Sequence, residues 1–134
     1  MNNQELQVAI RYNESIREGC IKHLFESKPS SSDLQCIVQH GNNAQKVKAS
    51  KLLLEITDGN VADNFLQIIM YGTKKYVSIA SKRLYGCVWE YKPITYAKPQ
   101  TSRHYVDALI DFAPLKYKIM AVKLLDRRNM LTIQ

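Results

Sequence analysis

The sequence predicts a small, mainly β domain with one helix at its front and another between its third and fourth strands. Three observations predict it. The chain has 134 residues, the size of one domain and enough to bury about two-thirds of its unfolded surface. Its hydrophobic spacing changes from a helical to an alternating pattern at Leu34. Turn signals rich in Gly, Asn and Asp then recur at short intervals.

Residues 1–14 are polar with scattered apolar positions, Leu6, Val8, Ile10 and Tyr12. They fit a short strand, a helix or a loose N-terminal extension. The first clear element begins at Ser15. Ser15-Ile16-Arg17-Glu18 has the spacing of a capping box, and Ile16, Cys20, Ile21, Leu24 and Phe25 follow at helical spacing. Residues 27–33, Ser-Lys-Pro-Ser-Ser-Ser-Asp, form a loop by composition.

From Leu34 to His40 the pattern is that of a strand, with Leu34, Cys36 and Val38 on one face. A turn region spans 41–45, and a second strand, 48–57, stops at the turn signal Asp58-Gly59-Asn60. Residues 65–71 give a third strand. Tyr76, Val77, Ile79, Ala80 and Leu84 then mark a short helix over 74–84. Cys87-Val88-Trp89-Glu90-Tyr91-Lys92 reads as a fourth strand, and a loop rich in Pro, Thr and Ser spans 96–103. Residues 104–114 fit a short helix or an added strand. A last strand covers 118–125, and 127–134 read as a tail or linker. No internal repeat stands out.

Three strands, a helix and two strands is the order of the five-stranded Greek-key barrel called the OB-fold. Another small α+β domain built of short antiparallel strands fits the periodicity equally well. Residue patterns favour the barrel. Glu18-Gly19-Cys20-Ile21, then Leu34-Gln35-Cys36-Ile37, then a basic strand ending in Asp58-Gly59, with Gly86-Cys87-Val88 opening the fourth strand, form an ordered series. The series resembles the N-terminal OB domain of the large subunit of replication protein A, or a telomere-adapted paralogue of it. It covers roughly 15–95, with 116–125 in addition. Thr57 and Leu53 depart from the family pattern, which has Ser and a second basic residue there. The resemblance implies an OB domain over 15–126 with an enlarged loop at about 96–116.

Net charge is +7, from 19 Lys and Arg against 12 Asp and Glu. Residues 46–103 carry ten basic and four acidic side chains and hold most of the excess. A basic surface attracts nucleic acid, acidic peptides or anionic lipid. The resemblance implies a nuclear protein-recruitment module of a single-stranded-DNA-binding complex acting in replication and repair. Its partners would be acidic segments of repair, checkpoint or telomere proteins, docked in a basic groove. Direct binding of single-stranded or telomeric DNA and assembly with other subunits are the alternatives. The matching positions for the groove are His40, Lys46, Lys48, Lys51, Lys92, Lys98 and Arg103. Trp89 and Tyr91, two apart on a strand, would share a face and are the candidate base-stacking residues.

Enzymatic chemistry has little support. His104, Asp107 and Asp111 would share a helix face, but no nucleophile turn or glycine-rich phosphate loop accompanies them. Cys20, Cys36 and Cys87 lack metal-ligand spacing and lie in apolar contexts, so they read as buried, reduced thiols. No metal or cofactor is expected. No run approaches the ~20 apolar residues that span a bilayer, and the N-terminus lacks the pattern of a signal peptide. A membrane partner is not expected.

Overall fold

The computed structural model describes residues 2–89 and 99–133, and every element in them is a helix. The helices are α1 (Asn3–Tyr12), α2 (Arg17–Glu26), α3 (Ser31–His40), α4 (Asn43–Glu55), α5 (Val61–Tyr71), α6 (Lys74–Trp89), α7 (Pro99–Phe112) and α8 (Leu115–Ile133). The expected barrel is therefore corrected to an all-helical fold. The predicted first, second and third strands are α3, α4 and α5. The last strand and the tail are one helix, α8, and residues 1–14 contribute α1. Two predicted helices stand, at α2 and α6, and 104–114 takes the helical alternative within α7. Of the predicted fourth strand, 87–89 close α6 and 90–92 lie outside the described residues. The series that resembles the replication protein A domain thus lies on helices and their exits.

Local chemistry explains why the chain folds this way. The clusters of Asn, Ser and Asp that suggest turns are helix N-caps. Asn2 with Glu5, Ser30 with Asp33 and Asn42 with Gln45 each form a full capping box. Asn60 accepts a hydrogen bond from the Asp63 amide. The predicted box at Ser15 does not form. Ile16 is the N-cap of α2, and the Ser15 hydroxyl bonds the Asn13 side chain at 2.7 Å instead.

Packing organises the helices into four consecutive pairs. Within each pair the helices pack on each other. Each odd-numbered helix packs on the next odd one, and α4, α6 and α8 follow each other likewise. The result is a short stack of helix pairs, the plan of an α-solenoid. The α3–α4 and α5–α6 turns repeat each other. Gly41 and Gly72 each end the first helix of a pair, and each backbone N–H bonds the carbonyl four residues back at 2.7 Å. A Cβ at Gly72 would stand 2.5 Å from the Ile68 oxygen, and one at Gly41 2.8 Å from that of Ile37.

The core runs the length of the stack, from Leu6 and Ile10 through Ile21, Ile37, Leu53, Ile68 and Leu84 to Leu109 and Leu124. A polar seam crosses it between odd helices. Gln7 of α1 donates to Asp33 of α3 at 2.6 Å, and Gln35 of α3 donates to Asn64 of α5 at 2.8 Å. Gln39 and Gln67 continue the seam at 2.7 Å. Buried polar groups that pair only in one register fix how the helices stack.

Candidate functional site

Charge separates by layer. The odd helices carry seven ionised side chains over their ranges, Glu5, Arg11, Asp33, Asp63, Arg103, Asp107 and Asp111, for a net of −3. The even helices have the opposite bias. α2 is neutral, α4 has three lysines against one glutamate, and α6 has four basic residues and no acid. α8 has five basic residues against Asp126, which brings the even layer to +10. The positive excess is thus carried by the even-helix side of the stack.

A short signature repeats down that face. It reads Cys20-x-Lys22-x-Leu24 in α2, Ala49-x-Lys51-x-Leu53 in α4, Ala80-x-Lys82-x-Leu84 in α6 and Ala121-x-Lys123-x-Leu125 in α8. The small residue of each is buried, the leucine is buried or packed against the core, and the lysine is exposed. Helical geometry requires this division, because the outer two positions lie one turn apart and the middle one points away. The helices α4, α6 and α8 pack in succession. Packed helices lie about 8–10 Å apart, so Lys51, Lys82 and Lys123 form a row roughly 20 Å long, with Lys22 on α2 ahead of it.

Further basic groups surround the row. α6 opens with Lys74 and Lys75, and α8 with Leu115, Lys116, Tyr117 and Lys118, while the first turns of α4, α6 and α8 contain no acid. Cations at a helix N-terminus oppose the macrodipole, an arrangement that local stability does not favour. Lys48, Lys75 and Lys116 lie over the rings of Phe25, Tyr76 and Tyr117, at 4.5, 5.7 and 5.6 Å from the centroids. The rings hold these ammonium groups in place without neutralising them. Arg83 bonds the Leu54 carbonyl at 2.9 Å. Among the described residues the ion pair present is Arg103–Asp107, on the odd layer.

The structure brings some of the predicted site residues together. Lys46, Lys48 and Lys51 all lie on α4 in the basic layer. His40 ends α3, half-buried. Burial and the charges of Arg17, Arg11 and Lys46 hold its pKa below the ordinary histidine value. Arg103 stands apart on α7, bonded to Asp107 at 2.9 Å. Lys92, Lys98 and Tyr91 lie outside the described residues, as does the side chain of Trp89. Trp89 is the last residue of α6, and the expected stacking pair with Tyr91 falls outside the described residues. Lys22, Lys82 and Lys123 escaped the sequence reading. Their signal was the repeated small-x-Lys-x-Leu, at the unequal spacings of 29, 31 and 41 residues.

No catalytic constellation forms among these groups. A shallow groove between α1 and α2 is lined by Leu6, Ser15, Ile16, Gly19, Cys20 and His23, one imidazole with no carboxylate beside it. His104 and Asp111 are exposed on α7. Among the described residues no cluster of His, Cys, Asp and Glu could hold a metal, and no helix is long and apolar enough to cross a membrane. Cys20 and Cys36 are buried as expected, and Cys87 is exposed, which corrects the sequence reading. Burial pushes the Cys36 thiol pKa up, despite the opposing charge of Arg11. Comparison with known proteins gives no match to any family model, curated protein or solved structure.

Proposed function

We propose that this chain is a non-enzymatic recognition scaffold that docks an acidic protein segment across its even layer. The observation that carries the reading is the row Lys22, Lys51, Lys82 and Lys123, one exposed lysine per helix pair in the same register. A stack of pairs converts a repeated residue into a line of charge, and a line of charge is matched by a chain that carries many carboxylates. Basic first turns on α4, α6 and α8 strengthen the match, since an anionic partner relieves their conflict with the helix dipoles. The aromatic rings beside the row favour a protein over a stacked single strand. Tyr117 is buried, and Phe25 and Tyr76 are partly buried against the core, which leaves little open ring face for bases.

Fluorescence anisotropy tests the reading with a labelled 20-residue peptide rich in Glu and Asp, and a single-stranded DNA of ~20 nucleotides in competition. The expected result is peptide binding that weakens as salt rises. Lys51→Glu with Lys82→Glu should weaken it about tenfold or more. Binding that ignores both salt and the charge reversals contradicts the reading, and DNA that displaces the peptide at equal charge replaces it with a nucleic-acid function.

A further inference from the structure

The helix α8 exposes an apolar face. Leu115 is 71% exposed, Ile119 47% and Val122 50%. Their spacing of four and three places them on one side of α8, opposite the buried Tyr117, Ala121 and Leu124. Phe112, three residues before Leu115 at the end of α7, is 49% exposed as well. In the repeated signature Val122 occupies the position of Ile21, Ser50 and Ser81. Those three are each 0% exposed, whereas Val122 is 50% exposed.

An exposed apolar helix face in a stack of helices is a site for further stacking. This face of α8 is apolar along the seam and basic beside it. Lys116 and Lys123 flank the seam on one side and Lys118 on the other, by helical position. We infer that the seam of Phe112, Leu115, Ile119 and Val122 seats an amphipathic helix with acidic flanks, which adds to the stack as one more helix. The inference rests on the proposed binding of acidic segments and names their form. Apolar residues at helical spacing on the partner cover the seam, and its carboxylates meet Lys116 and Lys123. Charge complementarity chooses this occupant over a second copy of the chain, whose own α8 face would bring lysines against lysines.

Two labelled 21-residue peptides of Leu, Ala and Glu, identical in composition, test the inference on the full chain. One places its leucines on a single helix face and the other scatters them. The wild type should prefer the amphipathic peptide about tenfold or more. Ile119→Ser with Val122→Ser should erase the preference and leave the weaker, salt-dependent binding of the scattered peptide. Leu115→Lys, at the most exposed position, should reduce the preference without touching the core. Lys51→Glu with Lys82→Glu should weaken both peptides and keep the preference. Equal binding of the two peptides by the wild type overturns the inference, as does a preference that survives in the serine variant. Light scattering that shows a dimer separated by Ile119→Ser also overturns it, in favour of a second copy. Uptake by anionic vesicles with both peptides rejected overturns it in favour of a lipid surface. Failure of the wild type to bind any acidic peptide at low salt removes the charge reading itself.

Discussion

Asp33 joins helix capping to the stacking of pairs. Its carboxylate accepts from the Ser30 amide at 3.0 Å, closing the capping box of α3, and from Gln7 and Asn3 of α1 at 2.6 and 3.0 Å. Burial alone would raise its pKa, but the hydrogen bonds from Ser30, Gln7 and Asn3 outweigh burial and hold it below the ordinary carboxylate value of 3.8. The unfolded chain therefore takes up the proton first as pH falls. Stability from this group is complete above that ordinary value and is lost as pH drops through the lowered one. Asp33→Asn should flatten this part of the acid limb in denaturant melts. Asp33→Ala should cost about 1–3 kcal/mol at neutral pH, because it strips partners from the buried Gln7. His40 has the same sign for a different reason. Its pKa is lowered by burial first and by Arg17, Arg11 and Lys46 next, so it resists charging as pH falls below 6.5 and stability declines there. An acidic peptide that screens those cations should raise the His40 pKa, a change that proton NMR reads from the imidazole resonances.

At the scale of the helix, matching positions in α4 and α6 provide an internal control. Ser50 and Ser81 are both fully buried. The Ser81 hydroxyl donates to the Val77 carbonyl at 2.7 Å, whereas that of Ser50 has no partner. Ser50→Ala should be neutral or stabilising in urea melts, and Ser81→Ala should cost about 0.5–1.5 kcal/mol. A loss at Ser50 equal to that at Ser81 would contradict this difference. The helices α3, α4 and α5 are also the hardest part of the sequence to read. α3 packs against α1, α4 and α5, so Leu34, Cys36, Ile37 and Val38 are all buried. A helix covered on several sides has the same short apolar run as a strand, and length alone does not separate them. α5, with Phe65, Leu66, Ile68 and Ile69 buried, was misread for the same reason. α2 and α6 were legible because their exposed sides are polar enough to show the helical period. The lysines of α4 were legible as part of the basic surface, since charge density needs no fold. Lys22, Lys82 and Lys123 were not, because a three-residue signature at unequal spacing leaves no fixed period to find.

The whole molecule behaves as a one-dimensional stack. Each pair contacts its neighbours in the chain, so the outer pairs have one neighbour and the inner pairs two. Hydrogen exchange should therefore show α1 and α2, and α7 and α8, opening before α3, α4, α5 and α6. Uniform protection along the chain would show a single cooperative unit instead. The same architecture supports the proposed docking face. A repeat that buries a small residue and a leucine and exposes a lysine builds core and charged face in one step. The central claim is that this face, and not the odd layer, is where the protein meets its partner. Backbone amide chemical shifts recorded during titration with the acidic 20-residue peptide test it most directly. Shifts concentrated around Lys22, Lys51, Lys82 and Lys123, fading as salt is added, are the expected result. Shifts confined to the odd helices, or none while the peptide is bound, would contradict it.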